Sequence, residues 1–351
     1  MTTQELRSLI FKGLAIPAQP LALDADRKLS EKHQKAITRY YFDAGTGGLA
    51  VGVHSTQFEI REPQHGLFKP VLELASQTLD AELEKTPRPF IKISGVCGPT
   101  PQAIQEAEFA KSTGYHAGLL SLAALRDSSE DQLLEHCREV ASVFPIIGFY
   151  LQPAVGGRVL PFSFWRKFAE IPNVLAIKIA PFNRYQTIDV VRAVIEAGRD
   201  DIALYTGNDD SIVTDLLTNW KFPYTGEIKS RRIEGGLLGH WGVWTKKSVE
   251  LLEEIKVARE KSTLDAKWLE TATAVTDMNA ALFDAANRFR GCIPGILEVL
   301  RRQGLTLNNH CLNPDEVLSP GQAEELDRVC AAYPELTDDG FVKENLDRWL
   351  S

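Results

Sequence analysis

The most informative candidate for a catalytic residue in this chain is a lysine inside an apolar segment. Lys178 interrupts the apolar segment at residues 174–179, whose other members are valine, leucine, alanine and isoleucine. A charged amine is costly to bury, and burial usually lowers the pKa of a lysine. Because only the neutral amine attacks a ketone, such a lysine suits Schiff-base chemistry. A salt-bridged lysine, or one that reaches solvent, would give the same pattern, and the pattern alone does not separate these interpretations.

A tyrosine and a polar loop end two other apolar segments. Tyr150 lies near the end of the segment at residues 145–151, and its hydroxyl could relay protons to and from a carbinolamine. Taken alone, an ordinary packed tyrosine is the better interpretation of Tyr150. His54, Ser55 and Thr56 follow a different apolar run and could bind a substrate carboxylate through hydroxyl and backbone N–H groups. A plain polar turn would look much the same.

A further polar turn, at residues 206–210, follows the apolar run near residue 204. Asn208 or Asp209 could cap the helix that comes next, and capping is the better interpretation of these two residues. The same turn would also face the site, so Gly207 and Asn208 are kept as candidates for substrate binding.

The elements that must position these residues alternate between strand and helix. Seven strand patterns between residues 11 and 206 are each followed by a helical pattern, with short connections bounded by glycine and proline. Alternation of this kind predicts a parallel sheet, and the count favours a (β/α)8 barrel over an open doubly wound sheet. We place the eighth strand at residues 235–240, after a polar insertion at residues 220–232.

The predicted fold class is therefore α/β, a (β/α)8 TIM barrel with a C-terminal helical extension. Residues 1–260 would form the catalytic barrel, and residues 261–351 the C-terminal helical region. Reactive groups of such barrels project from the C-terminal ends of the strands, where the candidates above lie. Trp241 and Trp244, near the eighth strand, would either narrow the pocket or pack against the tail, and packing is favoured.

Composition excludes several classes of protein. With 351 residues, 44% of them hydrophobic, the chain can bury a substantial core, which excludes intrinsic disorder. A net charge of −8 without a run of Lys or Arg argues against nucleic-acid binding, and no apolar run is long enough for a membrane span. The polar start and five scattered cysteines predict a cytoplasmic protein. The cysteine and histidine spacings predict no metal site.

Taken in order, these segments resemble the dihydrodipicolinate synthase/N-acetylneuraminate lyase family, the pyruvate-type class I aldolases. The similarity runs from about Gly13 to Tyr333. Its most specific part is Tyr150, followed three residues later by Pro153, with Lys178 28 residues after the tyrosine.

The resemblance implies a mechanism and a set of partners. Lys178 would form an imine with the ketone of a 2-oxo acid, Tyr150 would shuttle protons, and the loop after strand two would hold the carboxylate. The implied activity is that of a Schiff-base-forming lyase, an aldolase or dehydratase, acting on a 2-oxo acid such as pyruvate or a keto-deoxy sugar acid, with no cofactor. Family members are commonly homo-oligomers, so we expect a dimer or tetramer.

Three departures from the family pattern argue against dihydrodipicolinate synthesis itself. His54 and Ser55 stand where the family has two threonines, and residues 122–125 replace a pair of tyrosines. The arginine expected just after Pro153 is absent, and Arg158 is out of register. These losses slightly favour a less polar substrate, such as an aromatic aldehyde–pyruvate adduct. The alternatives are a non-catalytic or ligand-sensing barrel that has lost turnover, and, third, a metal-dependent aldolase.

Overall fold

The computed structural model describes residues 1–351, and its strands form an eight-stranded parallel sheet and a two-stranded hairpin. In chain order the strands are β1 Ala15–Pro17, β2 Gly48–Val51, β3 Ile91–Val96, β4 Ala117–Leu120, β5 Ile146–Leu151, β6 Val174–Ala180, β7 Ala203–Thr206, β8 Trp220–Tyr224, β9 Glu227–Arg231 and β10 Gly235–Leu238. The large sheet has the order β1-β10-β7-β6-β5-β4-β3-β2. A bridge between Ala18 and Ala50 joins its two edges, so the sheet closes into a barrel.

One helix precedes the first strand, eight follow the barrel strands in turn, and four more complete the chain. They are α1 Thr3–Ile10, α2 Glu31–Ala44, α3 Phe68–Lys85, α4 Thr100–Ser112, α5 Glu130–Val143, α6 Phe162–Phe168, α7 Arg184–Glu196, α8 Ile212–Leu217, α9 Thr245–Arg259, α10 Lys267–Leu282, α11 Cys292–Arg302, α12 Gln322–Ala332 and α13 Asp339–Trp349. Helices α2 to α9 each follow one barrel strand, which confirms the predicted (β/α)8 barrel with a C-terminal helical extension. No helix has both the length and the apolar character that a membrane crossing requires.

The barrel strands are buried on both faces, as expected of a parallel sheet covered by helices. Every residue of the eight strands is buried. Alternate side chains enter different apolar clusters: Phe149 packs in the barrel interior, whereas Tyr150 packs in the layer between sheet and helices. The position of a residue along its strand therefore decides whether its side chain can reach the mouth of the barrel.

The eighth barrel strand lies where the sequence predicts it, and the insertion before it has regular structure. Strand β10 falls inside the predicted residues 235–240. The insertion forms the antiparallel hairpin of β8 and β9, and β9 is almost entirely exposed. Helix α1, which the sequence analysis did not predict, is capped by a reciprocal pair of hydrogen bonds between Thr2 and Glu5.

The C-terminal helices pack on the barrel through buried polar contacts as well as apolar ones. The hydroxyl of Tyr40 in α2 donates to Asp338 over 2.7 Å, and the indole nitrogen of Trp349 donates to Asp43 over 2.6 Å. Apolar residues of both regions belong to one continuous core cluster. The division between residues 260 and 261 stays a proposal; it falls in the connection between α9 and α10.

Candidate active site

A cleft opens at the C-terminal ends of the barrel strands. Eleven of its eighteen lining residues are hydrophobic. The strand ends contribute Ala18, Val53, His54, Ser55, Phe149, Leu151, Gln152, Val155, Lys178, Ala180, Phe182, Gly207, Asp209 and Gly239, and the C-terminal region contributes Phe283, Phe289, Cys292 and Ile296.

Lys178 of β6 lies in this cleft with an amine that has no partner in the chain. Its side chain makes no hydrogen bond and no ion pair within 4 Å, although the residue is only 8% exposed. Its Nζ lies 4.4 Å from the centroid of the Phe149 ring. Burial lowers the pKa of Lys178 to about 8, and the negative charge of Asp209 partly offsets that effect. A salt-bridged or snorkelling lysine, the alternatives left open by the sequence, does not match this geometry.

Gly207, directly after β7, leaves space for the side chain of Lys178. A Cβ atom on Gly207 would lie 2.6 Å from Cε of Lys178 and 2.8 Å from Cβ of Ala180, closer than real contacts allow. Gly207 therefore lines the cleft as the sequence predicts, and the side chain it lacks is what leaves space for the lysine.

Asp209, two residues further on, is the one acidic residue among those lining the cleft. Its Oδ1 accepts the backbone N–H of His240 over 3.0 Å, and its carbonyl accepts the side-chain amide of Asn279 over 2.5 Å. Oδ2 makes no hydrogen bond within the chain. Burial raises the pKa of Asp209, while the nearby Lys178 favours the carboxylate. From the sequence Asp209 is predicted only as a possible helix cap, because a turn pattern does not show which side chain enters the barrel mouth.

The loop after β2 places two of its three predicted residues in the cleft. His54 and Ser55 line it; the imidazole of His54 makes no hydrogen bond, and burial together with the charge of Lys178 lowers its pKa to about 4. Thr56 is fully buried instead, with its hydroxyl donating to the carbonyl of Gln19 over 2.6 Å and accepting the N–H of Gly52 over 3.0 Å. These bonds hold the 3₁₀ turn His54–Thr56, so Thr56 supports the loop and does not line the cleft.

Tyr150 does not reach the cleft, which corrects the expected position of a proton-shuttling tyrosine. Its ring packs 5.2 Å from that of Trp165, and its hydroxyl accepts the N–H of Leu160 over 3.2 Å. Phe149 lines the cleft in its place.

An irregularity in the pairing of β5 with β6 explains this difference. Ile146 pairs with Val174, a register that would place Tyr150 beside Lys178 if it continued. The register shifts between Ile146 and Ile147, so that Phe149 pairs with Lys178. Paired residues of parallel strands point to the same face, and the shift by one residue therefore turns Tyr150 outward.

Asn208 also serves the framework rather than the cleft. Its Oδ1 accepts the N–H of Phe182 over 3.0 Å, and its Nδ2 donates to Thr187 and to Asp215. These bonds join the loops that follow β6 and β7. The expectation that Asn208 or Asp209 caps the next helix is wrong: α8 starts after Ser211, and no side chain caps it.

Four residues of the C-terminal region complete the cleft, and no sequence pattern had pointed to them. Phe289 packs edge-on against Phe182 with the ring centroids 5.7 Å apart, and both residues have positive φ, 66° and 52°. Left-handed backbone is uncommon for aromatic residues, and packing has to hold it in place. Trp241 and Trp244 are buried and do not line the cleft, so they do not narrow it.

The cleft therefore combines one amine, one carboxylate, one imidazole, one hydroxyl, one thiol and one side-chain amide within a largely apolar wall. No group of three or more His, Cys, Asp or Glu side chains in the chain is close enough together to hold a metal ion. An unpaired buried amine can attack a carbonyl carbon, and a neighbouring carboxylate or imidazole can move protons. This set of groups is suited to covalent imine chemistry.

Comparison with known protein families adds to this geometry. A family model described as "Dihydrodipicolinate synthetase family" matches residues 14–221. The 4-hydroxy-tetrahydrodipicolinate synthase of Aromatoleum aromaticum is 28% identical over 196 residues, which cover 55% of this chain and 62% of that protein. The enzyme of the same name from Sulfurihydrogenibium sp. is 24% identical, covering 52% of this chain and 59% of its own length. The chain thus spans about three-fifths of the length of these relatives.

Solved structures resemble the chain over a longer stretch. Dihydrodipicolinate synthase from Aquifex aeolicus aligns with a TM-score of 0.73 at 17% identity, covering 93% of this chain and 99% of that one. N-acetylneuraminate lyase from Fusobacterium nucleatum gives a TM-score of 0.70 at 15% identity, covering 92% and 99%. At such identities the likeness establishes a shared fold.

Proposed function

The chain belongs to the dihydrodipicolinate synthetase family, and we propose that it is a Schiff-base-forming lyase, an aldolase or dehydratase, that acts on a 2-oxo acid. The observation that carries this proposal is the unpartnered amine of Lys178, buried in a cleft at the C-terminal mouth of the barrel. Lysines in proteins are rarely buried without a partner, and a perturbed amine in a cleft is a marker of function.

In this proposal Lys178 is the nucleophile. The neutral amine attacks the ketone carbon of the 2-oxo acid, a C–N bond forms, and loss of water from the carbinolamine gives the imine. The protonated imine then accepts the electron pair of a C–C or C–H bond broken at the adjacent carbon. Burial supports this step because it lowers the pKa of Lys178 and so supplies neutral amine near physiological pH.

His54 and Ser55 would receive the carboxylate of the substrate. Both line the cleft at the end of β2, across the barrel from Lys178 in the strand order. With its pKa lowered, His54 is neutral at pH 7 and offers one N–H donor, while Ser55 offers a hydroxyl. The carboxylate of Asp209 repels a second carboxylate, so it favours the β2 side for the acid group.

The rest of the cleft favours an apolar distal part of the substrate. Lys178 is the only lysine or arginine in the lining, and Phe182, Phe283 and Phe289 stand around the mouth. A chain of sugar hydroxyls would leave hydrogen bonds unmade against such a wall, whereas an aromatic ring would gain contact area. We therefore propose an aromatic aldehyde–pyruvate adduct ahead of a keto-deoxy sugar acid. Synthesis of dihydrodipicolinate itself is not proposed.

Release of pyruvate from two matched aldols tests this proposal. The pair is 4-hydroxy-4-phenyl-2-oxobutanoate, an aryl aldol, and a keto-deoxy sugar acid of similar length. We expect kcat/KM to be at least about tenfold higher for the aryl aldol, the value of one or two well-packed groups. Lys178→Met, which keeps the length of the side chain, should abolish turnover of both substrates.

The results distinguish the parts of the proposal. Equal or reversed preference would contradict the apolar substrate class while leaving the imine route in place. Turnover that survives in Lys178→Met and falls with a chelator would instead indicate metal-dependent aldol chemistry.

The outward position of Tyr150 favours one alternative, a ligand-binding barrel without turnover. In that case 2-oxo acids would bind, as seen by calorimetry, and no pyruvate would be released. Two further proposals follow from the family rather than from the cleft: that the chain forms a homo-oligomer, a dimer or tetramer, and that it acts in the cytoplasm. Light scattering would measure the first, and fractionation of the source cells the second.

A further inference from the structure

An imine route requires an acid–base group close to the carbon next to the imine, and Tyr150 does not supply it. Tyr150 is outside the cleft, its hydroxyl occupied by the N–H of Leu160. Phe149, which pairs with Lys178, cannot exchange a proton. The need for such a group rests on the proposed function, because it belongs to the reaction that Lys178 would begin.

Besides Lys178, three residues lining the cleft can titrate: His54, Cys292 and Asp209. Cys292 cannot act as the base, because burial and the charge of Asp209 raise its pKa far above that of a free thiol. The side chain therefore stays a protonated thiol, which cannot accept a proton. His54 lies on the β2 side, where the substrate carboxylate would bind and occupy its N–H donor. Asp209 is the remaining group, and it makes no bond to the substrate carboxylate in this arrangement.

Asp209 also has the geometry of a group kept ready for proton transfer. It follows β7, the neighbour of the β6 strand that carries Lys178, and Lys178 pairs with Tyr205 across the two strands. Of its two carboxyl oxygens, Oδ1 is fixed by the N–H of His240, and Oδ2 has no partner in the chain. Asp209 is 8% exposed and lines the cleft, so this free oxygen is available to a bound molecule.

The turn that carries Asp209 is held in place by His240 and by Asn279 of the C-terminal region. Asn279 of α10 donates to the carbonyl of Asp209, and its Oδ1 lies 2.7 Å from Nδ1 of His240. His240 in turn supplies the N–H that fixes Oδ1 of Asp209. His240 and Asn279 are thus positioning residues, and neither lines the cleft.

We propose that Asp209 is the catalytic acid–base residue of this cleft and carries the protons that a tyrosine on β5 does not reach. Once Lys178 and pyruvate have formed the protonated imine, Oδ2 of Asp209 removes a proton from the methyl carbon. The C–H bond breaks, its electron pair forms the C=C bond of the enamine, and the imine nitrogen becomes neutral. In the reverse step Asp209 returns the proton to carbon. In aldol cleavage the same carboxylate accepts the proton of the substrate hydroxyl as the C–C bond breaks.

Exchange of the pyruvate methyl protons for deuterium isolates this step from any second substrate. The protein is incubated with pyruvate in D2O, and loss of the methyl signal is followed by proton NMR. Asp209→Asn keeps the shape of the side chain and an oxygen for the His240 N–H but cannot accept the proton. We expect it to exchange about 10²- to 10⁴-fold more slowly than the wild type, the usual contribution of a general base.

Three further variants and two parallel readouts make the outcome decisive. Tyr150→Phe and Asp210→Asn, which changes the exposed neighbour, should both exchange at near the wild-type rate. Borohydride should still trap pyruvate on Lys178 in Asp209→Asn, and circular dichroism should show the native fold. Asp209→Glu, which retains a carboxyl group, should restore part of the exchange.

Each contrary result has a distinct meaning. Exchange by Asp209→Asn within threefold of the wild type, or its loss in Tyr150→Phe, would overturn the assignment of Asp209 and leave the imine at Lys178 standing. Absence of both trapping and exchange in the wild type would overturn the proposed function, and with it the role of Asp209.

Discussion

At the scale of single residues, the main feature of the cleft is a buried amine that forms no ion pair with an acidic side chain. Lys178 has no ion-pair partner within 4 Å, and the aromatic ring of Phe149 lies beside its Nζ. Burial disfavours the ammonium form, while Asp209 and the face of the ring favour it. Burial is the larger effect, so the pKa of Lys178 falls below the value of 10.5 for an unperturbed lysine.

The lowered pKa predicts how imine formation depends on pH. Only the neutral amine attacks, so its fraction, and with it the rate of trapping at fixed pyruvate, should rise with pH through a midpoint of about 8. Rates of borohydride-dependent incorporation of labelled pyruvate between pH 6 and 10 would measure this. A midpoint near 10.5 would mean that Lys178 is solvated and not activated by burial.

Gly207 provides a second prediction at this scale. Gly207→Ala would place a Cβ 2.6 Å from Cε of Lys178, so the amine must move. We expect trapping to fall by tenfold or more. Gly340→Ala, where the new atom meets nothing within 4 Å, is the matched control and should trap normally. Equal trapping by both variants would show that the lysine has more freedom than this packing allows.

The residues predicted from the sequence divide according to how far local pattern determines side-chain direction. Lys178, His54, Ser55 and Gly207 line the cleft, because each lies near or just after the C-terminal end of a strand that the pattern identifies. Tyr150 and Lys178 are 28 residues apart in the sequence, as the family pattern requires. The register shift between β5 and β6 nevertheless places Phe149, and not Tyr150, beside Lys178. No local signal marks that shift, since the residues around it are uniformly apolar.

At the scale of elements, the barrel strands place the chemistry, and the C-terminal helices enclose it. Asn279 of α10 holds the turn that carries Asp209, while Phe283 and Phe289 after α10 line the mouth. These contacts join residues about 70 positions apart in the chain. The alternating pattern predicts the strands and helices of the barrel, but it cannot show which face of a distant helix meets which loop.

One buried tyrosine connects the barrel to this region and offers a test of stability. The hydroxyl of Tyr40 donates to Asp338 and accepts the N–H of Thr245, each over 2.7 Å. Tyr40→Phe would leave the Thr245 N–H without a partner, and we expect it to lower the free energy of unfolding by about 1–3 kcal/mol. Urea unfolding would measure the change. Tyr185→Phe, at a residue that is 82% exposed, is the control and should change little.

A loss of less than about 0.5 kcal/mol in Tyr40→Phe would mean that water or a rearranged side chain satisfies these groups. The attachment of the C-terminal helices would then depend on apolar contacts alone. A larger loss accompanied by reduced imine trapping would show that the region also supports the site.

At the scale of the whole molecule, barrel and C-terminal helices share one apolar core. Residues such as Tyr40 and Leu79 of the barrel belong to the same continuous cluster as Leu300 and Trp349. A division at residue 260 therefore separates two parts of the sequence that bury each other's surface. We expect them to unfold together.

Calorimetry tests this expectation directly. Two parts that share a core should unfold in one transition, with the calorimetric enthalpy equal to the van't Hoff enthalpy. Two resolved transitions would mean that the C-terminal helices form a separate domain. The outcome matters for the site, because Phe283, Phe289, Cys292 and Ile296 would leave the cleft if the region detached.

Imine formation at Lys178 is the central step of the proposed reaction, and borohydride reduction in the presence of pyruvate tests it most directly. Mass spectrometry of the digested protein should then find the reduced pyruvate adduct on the peptide that contains Lys178, and no adduct in Lys178→Met. An aldolase that traps pyruvate normally serves as the positive control. If Lys178 of the native protein stays unmodified with pyruvate and with the aryl aldol, the assignment of Lys178 as the nucleophile is contradicted.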